Sequence, residues 1–171
     1  KELHLIENAD YIITHDKWHA EFIRQYCNIT DDRILYLPNA SFTPEYHKES
    51  DYLGSRLSIS NEKNIILHSG GLGKWFCCKE LAESVNKWDK NNVLVFHTSY
   101  IVEKEPYYES MKEYCDNCNN VYFSTQPVPN EELDELIASA KIGIALYSIS
   151  ELGYRAEYMG LAAGKIGNYL K

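Results

Sequence analysis

The sequence predicts an α/β fold, a parallel sheet with helices on both faces. Short apolar runs alternate with helical patterns through most of the 171 residues, and repeated strand–helix units of this size build parallel sheets covered by helices. Three of the runs, at 64–68, 93–97 and 142–147, are almost unbroken in apolar character, as strands buried on both faces are. The first of these runs directly into Ser69-Gly70-Gly71-Leu72-Gly73, a strand-to-helix turn of the kind that opens a crossover unit.

Taken in order, Asp10 to Thr14 is a strand, and Lys17 to Cys27 a helix with Trp18, Phe22, Ile23 and Tyr26 on one side. Arg33 to Leu37 is a second strand, stopped by Pro38-Asn39. The stretch from Pro38 to about Asn61 holds two prolines, Gly54 and many polar residues, which suits a crossing segment between two α/β units. Beyond it the sequence predicts a strand over 64–68, a helix over 78–88 and a strand over 93–97. A helix over 106–115, a strand over 120–124, a helix over 130–140 and a strand over 142–147 follow. In such sheets ligands bind beyond the carboxyl ends of the strands. That rule places the loops 69–76, 97–105, 124–129 and 148–165 on the functional edge.

Composition narrows the function classes. The formal net charge is −8, which argues against a nucleic-acid backbone as the main partner. With 44% hydrophobic residues the chain can bury an ordinary core, and no apolar run is long enough to span a membrane. The first residues lack a signal-peptide core, and the five cysteines read as free thiols, so the expectation is a cytoplasmic protein that could be peripheral to the membrane in its full length. Cys115 and Cys118 have zinc-ligand spacing, but no second pair completes a site. His15 and His19 likewise lack a third ligand. No metal is expected.

Two segments have the chemistry of an anion site. Gly70-Gly71-Leu72-Gly73-Lys74 follows a strand and precedes a helix, and glycine there lets backbone N–H groups approach a phosphate. It is neither a Walker loop, since Trp75 stands where Ser or Thr would hold magnesium, nor a full dinucleotide fingerprint, since Phe76 fills the third glycine position. Gly164-Lys165 opens an apolar helical run near the end of the sequence, and a helix start with a lysine is a seat for phosphate. A plain tight turn and a solvated lysine are the alternatives. His68 and His97 end two strands near the same edge and could be buried structural histidines or donors to a ligand oxygen.

In order, these segments resemble GT-B glycosyltransferases. Ala9-Asp10-Tyr-Ile-Ile-Thr14 is similar to a strand near the end of their first domain, and Ile34-Leu-Tyr-Leu-Pro38-Asn39 to their crossover. Ile65-Ile-Leu-His-Ser-Gly70-Gly71-Leu72 is similar to the opening strand and glycine turn of the second domain. The run from Val121 through Pro127-Val-Pro129 to Leu133 resembles their "V-x-F-x-G-x-V-P-x-E-E-L" segment. Lys141-Ile-Gly-Ile-Ala-Leu resembles "A-D-I-G-I", and Gly164-Lys165-Ile-x-x-Tyr169-Leu170 resembles "G-K-I-x-E-Y-L".

The resemblance implies a Rossmann-like donor half of a GT-B fold and a piece of a longer protein, inactive alone. Residues 1–40 would end an acceptor-side domain, 41–60 would link, and 61–171 would form the nucleotide-sugar-binding domain. It implies a nucleotide-diphosphate sugar as donor and a saccharide, lipid or protein as acceptor. Gly70, Gly71, Gly73, Lys74, Gly164 and Lys165 would meet the diphosphate, Ser124, Thr125 and Val128 the base, and Asn168 the ribose. Asn168 replaces the acid usual in that helix, and Gly160 stands where many retaining members carry glutamate. The neighbouring Glu151 and Glu157 do not have the retaining spacing, so no catalytic residue is assigned. A non-catalytic binding or scaffolding subunit and a sugar-nucleotide epimerase of the same architecture are the competing readings.

Overall fold

The computed structural model describes residues 2–40, 48–98, 105–116, 118–153, 156, 159 and 163–170. The predicted α/β class is what the chain adopts. Among the described residues its main sheet has four parallel strands: β3 (Asn64–Ser69), β4 (Asn92–His97), β5 (Val121–Ser124) and β6 (Ile142–Gly143). Their order is β5-β4-β3-β6. The chain therefore builds outward from β3 on one side, then returns to β3 on the other. β1 (Ile12–Thr14) and β2 (Ile34–Tyr36) form a separate two-stranded parallel sheet, with Ile12 opposite Ile34.

Period-two alternation along β3 and β4 explains the two layers. Ile66, Leu94 and Phe96 face one way, onto α4 (Cys78–Ser84) and α5 (Pro106–Cys115), and meet Leu81, Met111 and Cys115. Ile65, Leu67, Val93 and Val95 face the other way, onto Leu53 of α3 (Tyr52–Leu57) and Leu136 of α6 (Leu133–Ala138). Both faces are covered, as the apolar strands require. The helix α1 (Glu2–Glu7) precedes β1, and α7 (Ile149–Leu152) and α8 (Gly164–Tyr169) follow β6.

Local chemistry sets several boundaries. α2 (Lys17–Cys27) starts where the Asp16 carboxylate accepts the N–H groups of Trp18 and His19, at 2.8 and 2.9 Å, and ends at left-handed Asn28. Pro106 occupies the first turn of α5, where its missing N–H costs no helical bond. Several expected elements are shorter. The helix over 78–88 tightens into a 3-10 turn at Val85–Lys87, and that over 130–140 begins as one at Asn130–Glu132. The strand over 142–147 pairs only at Ile142–Gly143, although Ile144 N–H still donates to Leu67 O at 2.8 Å. Past that point the chain turns Tyr147 onto Phe76, their centroids 5.8 Å apart.

The weak pattern over 38–61 conceals α3. Leu53 is fully buried, and its N–H donates to Ser139 Oγ, so this helix packs against the main sheet's core. Residues 41–47 of that stretch lie outside the described residues.

Candidate functional site

The site grows from the end of β3. Gly70 takes φ +136°, and its N–H donates to His97 O at 2.9 Å. Side chains rarely adopt that torsion, which is why glycine stands there. His68 is fully buried beneath the turn, with Phe76 and Phe96 each 5.7 Å from its ring. Its Nε2–H donates to Gly71 O at 3.1 Å, which fixes the tautomer because a carbonyl only accepts. Burial above all, with the charge of Lys165, pushes its pKa down to about 4, so the ring is neutral. His97 is held below its usual range by burial and pairs with Ser124 Oγ at 3.0 Å.

Lys165 comes to this turn from the far end of the sequence. Tyr169, one turn later on α8, packs its ring against Gly143, where a Cβ would lie 2.4 Å from the ring's Cγ. Its hydroxyl accepts the Ser69 N–H at 2.8 Å and lies 3.4 Å from both Leu67 O and Ile144 O. That clamp ties α8 to the place where strand order reverses between β3 and β6, the point at which α/β sheets open a ligand crevice. It sets Lys165 over Gly70: a Cβ on Gly70 would be 3.1 Å from Nζ. The ammonium lies 4.0 Å from the Phe76 centroid and 5.8 Å from that of Tyr147. Nζ is buried with no hydrogen-bond partner among the described residues. Burial pushes its pKa down to about 8.

The other expected residues divide. Gly73 and Lys74 line a neighbouring cleft of about 380 Å³ with Trp75, Glu105, Tyr107, Tyr108 and Glu151. Lys74 is exposed there. Asn168 follows Lys165 by three positions on α8, half-buried, while Gly164 is exposed with open space around it. At β5, Ser124 is buried on His97 and Val128 packs into the core, leaving Thr125 partly exposed and Gln126 open. Gly160, Glu157 and residues 99–104 lie outside the described residues.

Several residues at the site carry no sequence signal for it. Phe76 reads from the sequence only as a missing glycine, yet it is the platform under Lys165. Arg56, on α3, donates to Tyr52 Oη at 2.9 Å and to Gln126 Oε1 at 3.1 Å, which brings a cation to the loop after β5. The spacing Lys165–Tyr169 was the available clue, since positions four apart share a helix face. Among the described residues, no three His, Cys, Asp or Glu side chains are grouped to hold a metal, and no helix is long and apolar enough to cross a membrane.

No protein-family model matches the chain, and no curated protein matches it. Solved structures do. HepE of Anabaena in complex with UDP-glucose superposes with a TM-score of 0.66 at 12% identity, over 85% of this chain and 40% of that one. WaaG, a glycosyltransferase involved in lipopolysaccharide biosynthesis, superposes with a TM-score of 0.60 at 14% identity, over 79% of this chain and 37% of that one. The chain thus spans about two fifths of the length of the structures it matches. Parallel sheet, helical layers and these neighbours agree on the architecture: the chain has an α/β fold of the GT-B type, over about two fifths of the length of the structures it matches.

Proposed function

We propose that this chain binds the diphosphate of a nucleotide-sugar and serves as the donor side of a glycosyltransferase. The observation that carries the reading is Lys165, a buried ammonium over Gly70 with no hydrogen-bond partner among the described residues. An unpaired buried cation is costly unless a counter-charge meets it. A diphosphate at the glycine turn would supply that charge, and Lys165 would stabilise the departing diphosphate during transfer. Asn168, on the same helix face, would approach the ribose, and the loop after β5 would frame the base. The UDP-glucose bound by HepE makes uridine diphosphate the first ligand to try. Residues 1–40 would belong to an acceptor-side domain and 61–171 to the donor domain of a cytoplasmic or membrane-peripheral enzyme acting on a saccharide, lipid or protein, the 41–60 linker between them laying α3 against the donor sheet.

Calorimetric titration with uridine, guanosine and adenosine diphosphates tests this. One of them binds, and Lys165→Ala weakens it about tenfold or more while the fold is retained by circular dichroism. Failure of all three to bind overturns the reading. Asn168, in place of an acid, favours a second reading in which the nucleotide-sugar is held but not consumed. Binding without transfer in the full-length protein would select it.

A further inference from the structure

Phe76 joins two different environments. Its ring carries Lys165 at 4.0 Å, and it meets the Trp75 indole edge-on with centroids 6.0 Å apart. Trp75 is 48% exposed and lines the 380 Å³ cleft with Lys74, Glu105, Tyr107 and Glu151. These residues come from the segments that follow β3, β4 and β6, so the cleft opens on the ligand-binding edge of the sheet.

We propose that this cleft is a saccharide subsite taking one uncharged hexose ring. The proposal deepens the nucleotide-sugar reading and rests on it for its place beside the diphosphate. Charge is the first argument. Among the described residues the cleft's lining carries one ammonium, Lys74, and two carboxylates, Glu105 and Glu151, and those carboxylates can accept sugar hydroxyls. The indole is the second. Gly73 has an extended φ of 178° that any residue adopts, yet a Cβ there would lie 2.8 Å from Trp75 Cε2. Glycine at 73 therefore serves to seat the indole against the backbone, and a rigid aromatic face matches the C–H face of a hexose. The third argument is rigidity. Trp75 O accepts the Ser148 N–H at 2.9 Å, which ties α7 and its Glu151 to the indole. Burial pushes the Tyr107 phenol up to about 12, so it remains a neutral hydroxyl. The volume falls at the small end of ligand sites, as one sugar unit requires.

The sugar could come from the nucleotide-sugar or from an acceptor saccharide, and one experiment separates them. Uridine diphosphate, UDP-glucose and free glucose, galactose and maltose are titrated into the whole chain, with and without saturating uridine diphosphate. Wild type, Trp75→Ala and Trp75→Phe are compared, with circular dichroism checking the fold. If UDP-glucose binds at least fivefold tighter than uridine diphosphate and Trp75→Ala removes that difference alone, the cleft holds the donor's hexose. Trp75-dependent binding of the free sugars supports the cleft as an acceptor subsite, and it does so even if no nucleotide binds, which would overturn only the diphosphate reading. Trp75→Phe should keep most of the affinity in either case. Absence of any Trp75-dependent saccharide binding overturns the subsite, and intact nucleotide binding would then leave the diphosphate reading standing.

Discussion

Lys165 and Phe76 form a cation–π pair, with the ammonium 4.0 Å from the ring centroid and no hydrogen bond to it among the described residues. The attraction of a ring face offsets only part of the cost of burying a charge. The folded-state pKa of about 8 lies below the 10.5 of an unperturbed lysine. The fold therefore carries a penalty below pH 8 that fades as pH rises from 8 to 10.5. Lys165→Met should raise the melting temperature at pH 7, and the gain should vanish above pH 10.5. Equal melting at pH 7 would contradict this.

The same pKa sets the pH dependence of ligand binding. A diphosphate needs the protonated amine, so affinity should fall about tenfold between pH 7 and pH 9.5. Near pH 8 binding should take up protons, because the anion restores the charged form. Calorimetry in buffers of different ionisation enthalpy measures that uptake.

His68 acts in the opposite pH range. Its pKa of about 4 in the fold lies below the value of a free histidine, so the unfolded chain binds a proton first as pH falls. Stability should drop by about 2 kcal/mol between pH 7 and pH 5 from this residue, with buried His97 acting in the same direction. Urea melts at the two pH values read the change. His68→Gln, which can still donate to Gly71 O, should flatten it.

Leu53 is fully buried against Leu67 and Val95, although it lies in the stretch that reads as a crossing segment. Leu53→Ala should cost about 2–5 kcal/mol, measured by urea denaturation, as for any core leucine of the main sheet. A cost below 1 kcal/mol would mean that α3 does not fold with that sheet.

The strands were legible because β3 and β4 are buried on both faces, so composition alone marks them. α2 was legible to the residue because Trp18, Phe22, Ile23 and Tyr26 repeat at helical spacing. α3 was not: Gly54 and its polar neighbours dilute a pattern whose main signal is the single residue Leu53. In the site, glycines at 70 and 73 were visible, but their reasons differ. Gly70 answers a torsion and Lys165, whereas Gly73 answers an indole. Only three-dimensional contact shows that Lys165 lies over Gly70 and Phe76 while Lys74 lines the cleft beside Trp75. Chain order places residues on an edge, not on one side of a ring.

The bond from Ser69 N–H to Tyr169 Oη has a dynamic consequence. Ser69 belongs to the last register pair of β3, opposite His97, and its amide is closed by a side chain from α8 rather than by a neighbouring strand. Hydrogen exchange at this one amide therefore reports how often α8 lifts away. Each such opening carries off Lys165 with the helix. The protection factor of Ser69 is in effect a clock for the lifetime of the assembled anion seat, readable before any ligand has been found.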